Sequence, residues 1–265
     1  MRMVDIHNHS VYSIDDGSAS VDESLAMLEM AEEEGICAIV LTPHSESFAY
    51  RSRGLEGYYL KVERLRALAE EYLVGVELYT GMEIRCTGHG NILEQLNDGR
   101  LITLNDTAYP LIEFSFDEMY SDVARAVNKL AGAGYTPIIA HPERYHCIQE
   151  DAARAYALVK AGALLQLDKD SLLGNLGFEA LECSVELLEH RLVHAVATDA
   201  HRCQARGRWS YGEYGNVAKT PRLARTAEIL ESVMGAGAAK LLLEDNPARI
   251  IDNQSITTDG AIPFD

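Results

Sequence analysis

Histidine, aspartate and glutamate recur in this sequence directly after short apolar runs. The earliest case is D-I-H-N-H, where His7 and His9 stand two residues apart. In an extended chain that spacing turns both imidazoles to the same side, as two ligands of one metal ion require. V-L-T-P-H then ends on His44, G-M-E ends on Glu83, and L-I-E-F carries Glu113. Further along, I-I-A-H-P carries His141 and A-T-D-A-H carries Asp199 and His201. With Asp16, from the D-D-G after the first run, these make nine candidate metal ligands.

Taken singly, each has an ordinary structural reading, as a hydrogen-bonded core histidine or one half of an ion pair. Taken together, four carboxylates and five histidines at the ends of apolar runs would be costly to bury without compensating cations. Nine donors exceed one tetrahedral ion, so two or three divalent ions are expected. Nitrogen and oxygen ligands without thiolate suit manganese, iron or zinc, and manganese is the preferred assignment. Three such ions against four carboxylates would leave a local charge of about +2, able to attract a phosphate dianion to an acidic protein.

The elements that must hold these residues follow from hydropathy. Short runs rich in Val, Ile, Leu and Ala alternate with stretches of helical period, the pattern of repeated βα units around a parallel sheet or barrel. Strands are expected at Met3–His7, Cys37–Thr42, Val76–Glu83, Pro110–Phe114, Thr136–Ala140, Ala163–Leu167 and Val193–Thr198. Helices are expected around 21–34, 56–73, 121–133, 150–161, 176–190 and 221–235, several of them ending at glycine (Gly35, Gly134, Gly162). A parallel barrel of this kind carries its active site at the C-terminal ends of the strands, where the nine residues lie. One domain over residues 1–252 is expected, with a polar, poorly ordered tail over 253–265.

A net charge of −18 over 265 residues argues against sustained binding to a nucleic-acid backbone, which draws on clustered Lys and Arg. The five cysteines are scattered without a C-x-x-C pair and read as reduced packing residues. No apolar run of membrane-spanning length occurs, and the first ten residues reach polar ligand types at once, so a soluble, cytoplasmic protein is expected.

The segments DIHNH, D-D-G (Asp15, Asp16, Gly17), TPH, LIEF, HPERY (His141 to Tyr145), T-D-A-H and DNPARII resemble the polymerase-and-histidinol-phosphatase (PHP) superfamily. Within it they are most similar to the bacterial manganese-dependent protein-tyrosine phosphatases of capsule and exopolysaccharide operons (CpsB/CapC/YwqE type). The match runs from Asp5 to about Arg249. It implies a distorted (β/α)7 barrel in which His7, His9, Glu83 and Asp199 hold one ion. Glu83, Glu113 and His141 would hold a second, and Asp16, His44 and His201 a third. It also implies that Arg144 and Arg206 face the substrate phosphate, with Arg208 competing for the second position. The expected reaction is in-line attack on phosphotyrosine by a hydroxide bridging two ions, on the tyrosine-rich tail of a polysaccharide-synthesis kinase. A guanidinium fork suits phosphate oxygens, and a phenol needs little acid assistance to leave.

Histidinol-phosphate phosphatase is the alternative enzyme, and a metal-stabilised scaffold the non-enzymatic alternative. Nuclease or polymerase-editing activity is weakened by the −18 charge. The L-Q-L-D-K-D segment mimics an aspartyl nucleophile motif but falls on the sixth expected strand, so Asp168 reads as a rim residue. Cys203 and Arg208 are one residue short of the C-x-x-x-x-x-R spacing of thiol-dependent phosphatases. His89, His146, His190 and His194 read as surface or helix residues, and the polar loops Ser45–Tyr59 and Arg202–Tyr214 as candidate walls of the cleft.

Overall fold

A computed structural model describes residues 1–49, 54–87, 91–203, 219–258 and 260–264. Its strands are β1 (Met3–Asn8), β2 (Ile36–Leu41), β3 (Glu77–Thr80), β4 (Glu83–Arg85), β5 (Leu111–Glu113), β6 (Ile138–Ala140), β7 (Leu164–Asp168) and β8 (Ala195–Ala197). Every pairing is parallel, in the orders β1-β2-β3 and β4-β5-β6-β7-β8. Two single bridges join these sheets into a ring, Asn8 to Ala200 and His44 to Glu83. The result is a distorted (β/α)7 barrel.

The distortion lies in the third strand. Val76–Glu83 reads as one strand in sequence, but the chain breaks after Thr80 and resumes at Glu83 in the other sheet. Gly81 is the cause. A Cβ there would stand 2.7 Å from Val40 Cγ1 and 2.9 Å from Leu104 Cδ2, so only glycine fits. Its N–H donates to the Tyr58 hydroxyl at 2.9 Å, and that hydroxyl donates to Leu41 O at 2.8 Å. Tyr58, placed by sequence in a candidate cleft wall, is therefore a buried strut between a helix and the barrel.

Strand residues alternate between two apolar clusters, as period two demands. Val4, Ile6, Ala38, Val40, Leu111, Ile138, Ala140, Leu164, Ala195 and Ala197 fill the lumen. Ile39, Leu41, Ile112, Ile139, Leu165 and Val196 meet the surrounding helices. Those include Val21–Glu33, whose N-cap Ser20 accepts the Glu23 N–H, and Gly54–Glu71, Tyr120–Gly132, Ala153–Lys160, Phe178–Glu189, Ala224–Met234 and Asn246–Ile251. Among the described residues no helix is long and apolar enough to cross a membrane.

Two further expectations change. His194 is buried, not superficial, and its Nδ1 accepts the Leu165 N–H at 3.2 Å. The segment after residue 252 is tied to the body. Gln254 O accepts the Tyr109 hydroxyl at 2.6 Å, Ile262 N donates to His190 O at 2.8 Å, and the Phe264 ring stacks 3.6 Å from the His190 ring.

Candidate metal centre

All nine candidate ligands converge on the C-terminal mouth of the barrel. Donor atoms within 4.8 Å of one another fall into four overlapping groups: His9, Asp16, His44 and His201; His7, Glu83 and His141; His7, His9 and Asp199; His44, Glu83 and Glu113. The strand ends account for this convergence, since each apolar run delivers its polar residue to the same rim. His141 and Asp199 sit there with φ of 35° and 47°, left-handed conformations that non-glycine residues adopt at a cost.

The tightest crowding surrounds His7 and His9. His7 Nε2 and His9 Nε2 are 3.2 Å apart. His7 Nε2 lies 3.3 Å from Glu83 Oε2 and 3.4 Å from Asp199 Oδ1. His9 Nε2 lies 3.4 Å and 3.3 Å from the same two oxygens. Metal–ligand bonds of about 2.0–2.1 Å place neighbouring tetrahedral ligands roughly 3.3 Å apart, the spacing of His7, His9 and Asp199 among themselves, and Glu83 Oε2 stands at the same distance from both imidazoles. Glu83 Oε2 is also buried and makes no hydrogen bond of good geometry although three imidazole nitrogens stand within 3.4 Å of it, and a buried carboxylate oxygen so placed calls for a cation.

Hydrogen bonds behind these groups fix which nitrogen faces the centre. His7 Nδ1 meets Gln166 Oε1 at 2.8 Å, and His9 Nδ1 meets Asp15 Oδ2 at 2.8 Å. Both Nδ1 atoms thus carry protons and both Nε2 atoms present lone pairs, the usual support of a ligating histidine. Asp15 also accepts the N–H groups of His44 (3.0 Å) and Gly17 (2.9 Å). Beneath them, Asp5 accepts from Thr198 N (3.0 Å) and Asn8 Nδ2 (3.0 Å), tying β1 to the turn that carries Asp199.

The remaining groups are less regular. His44 Nδ1 lies 2.9 Å from Glu83 Oε2, and its Nε2 lies 3.5 Å from Asp16 Oδ1. His201 Nε2 approaches the same Asp16 oxygen at 3.4 Å, and His141 Nε2 lies 3.1 Å from Glu83 Oε1. Glu113 is paired with Arg85 at 3.0 Å. The acidic field is strong enough to draw protons onto imidazoles. Burial opposes charging His44, yet Glu83 and Asp16 raise it to about 10. His141 goes the other way, pushed down to about 4 by burial, which leaves it neutral and free to ligate near neutral pH.

Arg144, in the turn Pro142–Arg144 after β6, lines one side of the centre. Its Nη1 stands 3.7 Å from Asp199 Oδ2 and 3.9 Å from Asp168 Oδ2, too far for hydrogen bonds, and its guanidinium lies 4.4 Å from the Phe116 ring centroid. Asp168 is no rim residue. It is fully buried, caps the short helix Lys169–Leu172, and leaves Oδ2 without a hydrogen-bond partner. Arg206 and Arg208, like His89 and most of the loop after Arg202, lie outside the described residues. Lys219 is the residue the sequence concealed, with Nζ hydrogen-bonded to Asp199 Oδ2 and 4.0 Å from Asp168 Oδ2. Of the other histidines, His146 pairs with Asp117 on the surface and His190 meets the C-terminal segment.

Known proteins resemble the chain over nearly all of its length. A solved structure described as YwqE from Bacillus subtilis and CpsB from Streptococcus pneumoniae, unique metal-dependent tyrosine phosphatases, superposes with a TM-score of 0.82 at 30% identity, covering 99% of this chain and all of that one. The tyrosine-protein phosphatase YwqE of Bacillus subtilis is 35% identical over 204 residues, 77% of this chain and 79% of that protein. The tyrosine-protein phosphatase CpsB of Streptococcus pneumoniae is 31% identical over 261 residues, 96% of this chain and 100% of that protein. The family model for capsular polysaccharide synthesis, CpsB/CapC, matches residues 3–252, and with the shared barrel and converging donors it places this chain in the CpsB/CapC family.

Proposed function

We propose that this chain is a metal-dependent protein-tyrosine phosphatase, with residues 1–252 as its catalytic unit. Its substrate would be the phosphorylated, tyrosine-rich tail of a bacterial kinase of capsular or exopolysaccharide synthesis. The observation that carries this reading is the juxtaposition of His7, His9 and Asp199 at ligand spacing, with Glu83 against both imidazoles, and Arg144, whose side chain makes no hydrogen bond among the described residues.

His7, His9, Glu83 and Asp199 would hold one ion, Glu83, Glu113 and His141 a second, and Asp16, His44 and His201 a third, manganese being preferred. Divalent ions supply Lewis acidity toward phosphate oxygens and lower the pKa of water. The protein's own part is positional. Arg144 offers a planar fork of unspent donors to the phosphate oxygens, and Phe116 holds that fork flat by stacking against it. Gln166 and Asp15 keep the two Nε2 lone pairs on target. A phenol with a pKa near 10 leaves without strong proton donation, so no general acid need be assigned.

The test is turnover by manganese-reconstituted protein of a phosphotyrosine peptide, histidinol phosphate and a single-stranded oligonucleotide, alongside His141→Ala and Arg144→Ala. Peptide hydrolysis abolished by both substitutions is expected. Peptide hydrolysis that survives both would overturn the site, and preference for histidinol phosphate would overturn the substrate.

A further inference from the structure

We infer that Lys219 is the second phosphate-binding cation of this site, standing beside Arg144 on one wall of the substrate position. The inference rests on the phosphatase reading and adds a residue to it. Lys219 reaches the centre from the far end of the segment that carries Arg206 and Arg208. It follows none of the apolar runs that place the other site residues.

The geometry comes from two carboxylate oxygens. Asp199 Oδ2 receives Lys219 Nζ and faces Arg144 Nη1 at 3.7 Å, while Asp168 Oδ2 faces Arg144 Nη1 at 3.9 Å and Lys219 Nζ at 4.0 Å. The two cations therefore stand together on one wall, and Asp199 turns its other oxygen, Oδ1, toward His7 and His9. An anion bridging the centre and this wall would meet both.

A purely structural role for Lys219 accounts for less of what is seen. Asp199 already has Arg144 nearby, and bound ions would neutralise it further, leaving the lysine in excess as a counter-charge. One of the three ammonium N–H groups is spent on Asp199, and Asp168 at 4.0 Å is beyond hydrogen-bond distance of another. The backbone around Lys219 is anchored, since its carbonyl accepts the N–H groups of His201 (2.8 Å) and Arg202 (3.0 Å). The ammonium is thus held beside a candidate ligand by a fixed main chain while two of its donors stay available. A compact charge on a four-carbon stem can follow a phosphate from bound ester to free product, complementing the planar grip of Arg144.

Calorimetric binding of inorganic phosphate to the manganese-loaded protein tests this, with metal content measured on the same samples. Lys219→Met should weaken phosphate binding about tenfold at unchanged metal content, and Lys219→Arg should restore most of it. In turnover of phosphotyrosine peptide, Lys219→Met should raise KM. Wild-type phosphate affinity in Lys219→Met, or a loss explained by lost metal, would overturn the assignment. So would a much larger loss in Arg206→Ala or Arg208→Ala than in Lys219→Met. Failure of the wild-type protein to hydrolyse the peptide would instead overturn the phosphatase reading, whatever the binding data show.

Discussion

His7 Nδ1 lies 2.8 Å from Gln166 Oε1, a hydrogen bond that links β1 to β7 past the intervening β8. The glutamine cannot be flipped to present a donor instead, because its Nε2 donates to Leu167 O at 2.7 Å. The imidazole proton is therefore fixed on Nδ1, and Nε2 is left as a lone pair. Gln166→Leu removes that constraint without changing a ligand. Metal affinity should fall by about 10- to 100-fold, read by competition with a chelating dye. Wild-type affinity would mean that something else orients His7.

Gly17 closes the D-D-G turn against the back of His9. A Cβ on it would come within 2.2 Å of His9 O and 2.9 Å of Asp15 Oδ1. Gly17→Ala should destabilise the protein by about 1–3 kcal/mol through overpacking and weaken the Asp15 support of His9. Thermal denaturation with and without manganese measures both effects, and a variant with wild-type Tm in each condition would refute the close approach.

Buried His194 makes a pH prediction away from the ligands. Burial holds its folded pKa down at about 4, against an ordinary value of 6.5, so below that value the unfolded chain binds the extra proton. The stability involved is complete above pH 6.5 and is lost as pH falls toward 4, by up to about 3 kcal/mol. His194→Asn retains an acceptor for the Leu165 N–H but cannot titrate. Urea denaturation from pH 7 to pH 4 should give a flatter stability profile for the variant, and parallel profiles would contradict the assignment.

Metal removal should be felt by the whole barrel. Four candidate-ligand carboxylates share the mouth with five imidazoles, and without ions only protons and nearby Arg and Lys side chains offset their charge. At a metal concentration 1,000 times Kd, binding to the folded state stabilises it by about 4 kcal/mol per site. Calorimetry should show a Tm lowered by several degrees after chelation and recovered with manganese. An identical Tm in both states would exclude tight binding to the folded form.

Eight of the nine candidate ligands stand out because each ends, follows or interrupts an apolar run, Asp16 lying in the loop beyond the first, and a parallel barrel gathers such ends on one face. The residues behind them were less visible. Asp15 and Asp16 are neighbours, and nothing in their spacing says that the first would hold His9 while the second would stand at the mouth. Gln166 left a usable signal, a lone amide inside an apolar strand, as did Asp168 at the end of the same run. Lys219 left none, since its place depends on where a long segment returns. The broken third strand was hidden for a similar reason. Val76, Leu78, Tyr79 and Met82 span the fault, and the crowding at Gly81 comes from Val40 and Leu104, far away in sequence.

Among the described residues, the ring of strands is closed by two single bridges, Asn8 to Ala200 and His44 to Glu83. Each seam has candidate donors on both banks, His7 and His9 facing Asp199 across one, and His44 facing Glu83 across the other. Ions seated in these sets would act as rivets through the weakest joints of the hoop. Loading metal would then complete the circumference as well as the chemistry, so a half-charged protein should behave as a barrel with one seam unlatched.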